Sequence, residues 1–397
     1  MNFANRVGRV EPSATLAISN KASALEAEGV DVVDLSVGEP DFPTPEPVVE
    51  AGHEALDAGH TGYTPSNGIP ELREAIAEKH RAKGVDCGPE NVLVTPGGKQ
   101  ALFETFQTLV DGGDGRSPSA SGTSSRAGDE VVLLDPAWVS YEAQAKLAGA
   151  DLRRVDLAPH EFQLEPALDE LADAMSDDTA LVVVNSPSNP TGAVYTEAAY
   201  EGVRDLAVEH DAHVVSDEIY AQITYGVDQP AAAAIDGLGE RTITVDGFSK
   251  SFSMTGWRLG YLLAPEEVIS QAGKVHSHSV SCATNFVQHA GVTALTDPAV
   301  DGAVAEMVAA FRERRDLLAD RLADHGVELA VGDGAFYAMP RVADDDVTWC
   351  EAAIEDAHVA CVPGSAFGAP GHARFSYAAS QERLEEAVER LADAGLI

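Results

Sequence analysis

The sequence predicts an α/β protein, a mainly parallel sheet with helices on both faces, joined to a second, smaller α/β domain. Three observations carry that prediction. Apolar, strand-like runs recur through the first two thirds of the chain: NVLVT (91–95), EVVLLD (130–135), ALVVVN (180–185), AHVVSDE (212–218), RTITVDG (241–247) and RLGYLLA (258–264). Between most of them lie stretches with helical periodicity, such as 99–110 and 197–210. Continuous Val/Leu/Ile runs alternating with helices mark strands buried on both faces. After about residue 285 the pattern changes to long helical stretches and short strands.

Residues 1–45 form a polar segment with one helix that runs into the Pro-rich stretch GEPDFPTPEP, and it is expected to join the smaller domain. Residues 46–284 are the expected larger domain. Within it, DGGDGRSPSASGTSSRAGD (111–129) has almost no apolar residue to offset the entropy of ordering it. It is expected to be a disordered surface loop inserted between a helix and a strand. Residues 285–397 are the expected smaller domain, with helices over 286–296 and 300–324. Short strands follow near 335–339, 359–362 and 373–377, and an amphipathic helix starts at about 380. A chain of 397 residues is too long for one ordinary core, so more than one domain is also the expectation from length.

Composition narrows the function. Asp and Glu number 65 against 26 Lys and Arg, a net charge of −39, and only seven of the cations are lysines. Such a chain lacks the basic face that phosphate backbones require, so nucleic-acid binding is excluded as a leading reading. The longest apolar runs, such as Ala180 to Val184, are far short of the ~20 residues of a spanning helix. The N-terminus has two arginines but no apolar stretch after them, which is not the pattern of a signal peptide. A soluble, cytoplasmic protein without membrane contact is expected. Cys87, Cys282, Cys350 and Cys361 are scattered, and His276 and His278 lack a third ligand nearby. Neither a metal site nor disulfides are therefore expected.

The chemistry-bearing residues sit at the ends of the predicted strands, where ligands of parallel sheets bind. Lys250, in VDGFSKSFSMTGWRLGY, ends an apolar run. Such surroundings disfavour the ammonium form and favour a nucleophilic amine. Ser249 and Arg258 beside it suit a phosphate. Asp217 in SDEIY can hold a ring nitrogen protonated, with Tyr220 in reach of the same place. NSPSNPTG (185–192) forces an irregular turn whose Asn189 amide can bond a ligand oxygen. In TPGGKQALF, Gly98 and Lys99 start a helix whose first amides make an anion site. Trp138 can stack on a planar ring, and Arg374 can grip a carboxylate through two hydrogen bonds. Taken singly, each also has a plain structural reading: a loop lysine, a solvated carboxylate, a turn asparagine, a core tryptophan, an ion-paired arginine.

Together and in this order, they resemble a known family. SVGEPDFPTP, GYTPSNGIPELREAI, VTPGGKQALF, WVSY, VNSPSNPTGAVY, VSDEIY, FSKSFSMTGWRLGY, GAFYAMP, VPGSAFG and RFSYA are similar to the motifs of class I/II, fold-type I aminotransferases dependent on pyridoxal 5'-phosphate. Within that family the likeness is to the aspartate aminotransferases of bacteria and archaea. The spacings agree, with 28 positions from Asn189 to Asp217 and 8 from Lys250 to Arg258.

The resemblance implies that Lys250 carries the cofactor as a Schiff base and moves the proton at the substrate α-carbon. It implies that Asp217 keeps the pyridine nitrogen protonated, Tyr220 and Asn189 bond the phenolic oxygen, and Trp138 stacks on the ring. The backbone of Gly98 and Lys99, with Ser249 and Arg258, would hold the phosphate. Tyr63 would reach the phosphate of a neighbouring subunit, which implies a homodimer with shared active sites. Arg374, helped by the backbone at Gly38, would bind the substrate α-carboxylate. Lys99 and Thr15 would recognise a distal carboxylate, so L-aspartate with 2-oxoglutarate is the first expectation. Prephenate, aromatic or other amino acids are the alternatives, or a carbon–sulfur lyase on the same fold. A regulator fused to a DNA-binding module is opposed by the charge. The loop 111–129 and the stretch SHSVSCATNF (277–286) depart from the family pattern, the second where a partner subunit's pocket would be shaped.

The charge itself generates a test. Self-repulsion at −39 destabilises a compact chain, and salt at 1 M shortens the Debye length to roughly 3 Å. A halophilic protein is the prediction: circular dichroism and activity should rise together across a potassium chloride series. A chain fully folded and active in dilute buffer would be an ordinary acidic enzyme instead.

Overall fold

The computed structural model describes residues 3–112 and 129–397. Its centre is a seven-stranded sheet in the order Val92–Thr95, Gly260–Leu263, Thr242–Gly247, His213–Asp217, Thr179–Asn185, Glu130–Asp135, Asp151–Asp156. Neighbours pair in parallel except for Gly260–Leu263, which runs antiparallel to the strands on either side. The strands Glu130–Asp135, Thr179–Asn185 and Thr242–Gly247 are buried at every position. That is why they read as unbroken apolar runs rather than as alternating ones. Two apolar layers cover the sheet. One contains Leu102, Phe106 and Ile269, the other Leu171, Tyr200 and Val203.

The strand Asp151–Asp156 has no counterpart in the sequence reading. It lies at the sheet edge, where only Val155 is buried, and its sequence DLRRVD carries charge in place of apolar side chains. Charged edges discourage pairing with other chains. Arg154 also has work to do there, as it binds Asp135 at 2.6 and 2.8 Å.

Local signals set the helix ends. Thr196 caps the helix Glu197–Glu209 by accepting the Ala199 N–H at 3.1 Å. Asp297 caps Pro298–Asp324, with Pro298 at the first helical position, so this helix starts two residues before the expected 300. The helix Asn285–Thr296 packs its Val287, Ala290 and Ala294 with Val48, Leu72 and Ile76.

The remaining C-terminal elements form a three-stranded antiparallel sheet, Val362–Pro363, Ala373–Ser376 and Tyr337–Ala338, beside the helices Asp346–Glu355 and Gln381–Asp393. The N-terminal segment enters this part of the molecule, since Val33–Asp34 pairs in parallel with Val359–Ala360. One core joins Val33, Phe311, Phe336, Phe375 and Leu391, and it extends to Tyr220, Ile223 and Tyr225 from beyond the central sheet. Asp111 and Asp129 are tied to each other, with the Asp111 N–H donating to Asp129 Oδ2 at 2.7 Å and the Asp129 N–H to the Asp111 carbonyl at 3.2 Å. The expected disorder of the segment between them falls outside the described residues. Among the described residues, no helix is long and apolar enough to cross a membrane.

Candidate active site

A cavity of about 330 Å³ opens beyond the carboxyl ends of the parallel strands. Asn185 and Asp217 end their strands, and Ser249 and Lys250 follow Thr242–Gly247. Gly98 follows Val92–Thr95, and Trp138 follows Glu130–Asp135. One topological fact thus brings residues from five strand ends to one place.

Lys250 is half-buried and donates from Nζ to the Gly38 carbonyl. Burial lowers its pKa to about 8, Glu39 works in the opposite direction, and Arg374 adds to the lowering. Asp217 is buried, and burial raises its carboxyl to about 6. Two donors oppose that rise: the Tyr141 hydroxyl at 2.6 Å from Oδ2 and the Ile219 N–H at 3.2 Å from Oδ1. Asn185 donates from Nδ2 to the Asp217 carbonyl at 2.9 Å and accepts the Asn189 N–H on Oδ1 at 2.7 Å. The doubled asparagine of NSPSNPTG is therefore one device: the first fixes the backbone of the second.

Arg374 is 2% exposed. It donates to Asn189 Oδ1 at 3.1 Å and to the Ser36 carbonyl at 2.5 Å, while its Nε has no partner among the described residues. A guanidinium has five N–H donors, so it retains donors for an incoming carboxylate. Its face lies 4.8 Å from the Tyr337 ring centre and 5.1 Å from that of Phe367. Tyr220 and Tyr337 share a hydroxyl–hydroxyl bond of 2.8 Å. A Cβ at Gly38 would stand 2.7 Å from the Tyr337 hydroxyl, so glycine is required for the chain to pass.

The helix Gly98–Leu109 starts at the cavity wall, leaving its first N–H groups without intrahelical acceptors. Gly97 has φ +85°, and a Cβ there would stand 2.6 Å from an Arg258 guanidinium nitrogen. Arg258 donates to the Thr255 carbonyl at 2.8 Å, and its own φ is 56°. Non-glycine residues adopt that region uncommonly. The Lys99 amine lies 4.8 Å from the Trp138 ring centre, with its pKa held down by desolvation first and then by Arg258. Thr15 also lines the cavity, and its hydroxyl is buried without a partner among the described residues.

The structure gathers every sequence-predicted site residue around this cavity except Tyr63, which is 91% exposed on the outside. Sequence reasoning gave no role to Tyr141, Tyr337, Asn185 or Glu39, which line the same cavity. WVSY and GAFYAMP contain the two tyrosines, but nothing in a linear pattern says which hydroxyls meet.

The profile of class I and II aminotransferases matches residues 30–391. The chain belongs to that family. An aspartate/prephenate aminotransferase of Thermus thermophilus is 43% identical over 396 residues, covering 98% of each chain. An aromatic-amino-acid aminotransferase of Thermococcus litoralis is 38% identical, covering 98% of this chain and 97% of its own. A solved structure described as the Thermus thermophilus aspartate aminotransferase with maleate superimposes with a TM-score of 0.92, at 42% identity and covering 99% of this chain and 100% of its own. The protein is thus an aminotransferase dependent on pyridoxal 5'-phosphate.

The residues present fit that cofactor. A desolvated amine, a buried carboxylate, a helix start beside a guanidinium and a half-buried indole line one cavity. These are complements for an aldehyde, a ring cation, a phosphate and a ring face.

The phosphate end yields a direct test. A Cβ on Gly260 would stand 2.4 Å from the Gly98 nitrogen and 2.6 Å from the Gly97 carbonyl carbon. Gly260→Ala should push the helix start away, at a cost of about 1–3 kcal/mol in stability, and weaken cofactor binding. Gly302→Ala, in a helix with open space around it, should leave both unchanged or slightly improved. Thermal unfolding and equilibrium dialysis with the cofactor would check both variants.

Proposed function

We propose that this aminotransferase moves the amino group of L-aspartate to 2-oxoglutarate in two half-reactions, with Lys250 as the residue that holds the cofactor and shuttles the proton. The observation that carries this reading is the convergence of Lys250, Asp217, Asn189 and Arg374 on one cavity. When bound, pyridoxal phosphate supplies an aldehyde carbon and a ring that withdraws the electron pair left at the substrate α-carbon. All other work falls to the chain.

Lys250 Nζ, with a pKa near 8, has an accessible neutral form at physiological pH, so it can attack a carbonyl and later take and return the α-proton. Asp217, ionised above about pH 6, would stabilise a protonated ring nitrogen. Asn189 Nδ2 and the Tyr220 hydroxyl would hold the ring's phenolic oxygen, and Trp138 its face. The backbone of Gly98 and Lys99 at the helix start, with Ser249 and Arg258, would hold the phosphate. Arg374 would bind the α-carboxylate with its free donors, beside the Gly38 backbone.

For the distal carboxylate, Lys99 and the unpartnered Thr15 hydroxyl are the available groups. A maleate complex is named for the Thermus relative, which supports a dicarboxylic substrate. Prephenate is the second reading, since a relative from Thermus thermophilus is named for it. We further propose a homodimer, typical of the family, in which the exposed Tyr63 contributes to the partner's site.

In high salt, aspartate should shift the cofactor's visible absorbance and 2-oxoglutarate should restore it. Lys250→Ala should abolish turnover; normal transamination by that variant would refute the assignment. Arg374→Ala should raise KM for every substrate, by about 2–5 kcal/mol of lost binding. Lys99→Ala should raise KM for aspartate far more than for an aromatic amino acid. In the cofactor-free protein, only the neutral amine reacts with an aldehyde, so the capture rate should climb as pH rises through about 8. A rate flat across that range would contradict the assigned amine.

A further inference from the structure

Asp217 is placed by a residue to which no function has been given. Tyr141, on the helix Val139–Ala148, is 2% exposed and points its hydroxyl at Asp217 Oδ2, 2.6 Å away. The other carboxylate oxygen takes the Ile219 N–H at 3.2 Å. With one donor on each oxygen, the carboxylate cannot rotate without breaking a bond in a buried place, where a lost partner is costly. The Tyr141 ring also packs edge-on against Trp138, with centres 5.4 Å apart and planes at 81°. One side chain thus touches both the carboxylate at the end of the sheet and the indole that would cover the ring.

We infer that Tyr141 is a positioning residue: its hydrogen bond orients the Asp217 carboxylate and keeps it ionised, so that it can pair with the protonated ring nitrogen of the cofactor. The inference rests on the role proposed above for Asp217. Burial drives the Asp217 pKa up and the Tyr141 hydroxyl drives it down. Burial and the Asp217 charge hold Tyr141 itself far above its ordinary pKa, so it stays a donor at every working pH. The other groups facing Asp217 do not replace this bond. Tyr220 gives its hydroxyl bond to Tyr337. Lys250 acts on Asp217 through charge and donates to Gly38. Asp246 repels it, moderated by Lys79 at 2.7 Å.

The test is the equilibrium dissociation constant of pyridoxal phosphate across a series from about pH 5 to pH 9, spanning the carboxyl and imidazole ranges. Tyr141→Phe keeps the ring and its contact with Trp138 and removes only the hydroxyl. It should weaken binding on the order of tenfold at neutral pH, as expected for losing a hydrogen bond to a charged group. The loss should grow toward acid pH, because a carboxylate without its donor protonates at a higher pH than in the wild type. Asp217→Asn should weaken binding more, and adding Tyr141→Phe to it should change nothing further.

Identical constants for Tyr141→Phe and wild type at every pH would overturn the inference. So would an equal loss from Tyr141→Phe in the wild-type and Asp217→Asn backgrounds, which would make the effect one of packing on Trp138. If Asp217→Asn itself binds like wild type, the role of Asp217 falls and this inference with it. If Asp217→Asn weakens binding and Tyr141→Phe does not, the inference alone falls. Circular dichroism of each variant establishes that it is folded.

Discussion

The hydrogen bond from Arg374 to Asn189 is the constraint on which the site depends. Arg374 sits on a strand of the C-terminal sheet, and Asn189 on the turn after a strand of the central sheet. The chain of contacts continues inward, from the Asn189 N–H to Asn185 and from the Asn185 amide to the Asp217 carbonyl. A group suited to a substrate carboxylate is thereby held in register with a group suited to a cofactor ring. The Tyr220–Tyr337 bond makes a second tie between the same two parts. Both ties are buried, so neither competes with water, and the cost of breaking either includes stranding its partner. Catalytic geometry that spans two packed units needs such ties, since small misplacements of reacting groups are expensive.

Charge gives the site its second character. The chain carries 65 acidic residues against 26 basic ones, yet Lys99, Lys250, Arg258 and Arg374 line one cavity, where the acids are Glu39 and Asp217. A positive cleft in an acidic protein concentrates anions where the walls exclude water. Phosphate and carboxylates are the groups that this reaction must gather. The surrounding negative surface opposes their approach, and salt weakens that opposition at long range more than it weakens contacts inside the cleft. Salt would then act on the folded chain and on substrate approach in the same direction.

Most of the fold was legible because buried parallel strands leave an unmistakable trace. EVVLLD and ALVVVN are apolar at nearly every position, since both of their faces are covered. The edge strand DLRRVD was not legible, because solvent on most of its length removes that trace. The site was legible in a different way. Lys250 by itself is an ordinary strand-end lysine, and the motif order around it made the reading. Tyr141 and Tyr337 escaped because their importance lies in which oxygen atoms they meet, a matter of three-dimensional packing. The same holds for Cys350 and Cys361, scattered in sequence yet with their sulfurs 3.5 Å apart in the core.

The two titrating groups at the centre show what such preorganisation costs. Burial raises the Asp217 pKa and lowers that of Lys250, so each charged form is disfavoured in the folded chain relative to water. For Asp217 the penalty applies above its unfolded pKa, where the carboxylate is ionised; for Lys250 it applies below its unfolded pKa, where the amine is protonated. Near neutral pH both penalties are present at once. A bound ring cation would compensate the first, and covalent use of the amine would remove the second. The cofactor-free chain is therefore the strained state of the pair, and ligand binding stabilises the fold by relieving strain as well as by mass action. Burial thus draws the two values toward neutrality from opposite sides, where proton exchange near the working pH is easiest, and the two groups divide the labour. Asp217 is set to hold a charge, and Lys250 to give one up.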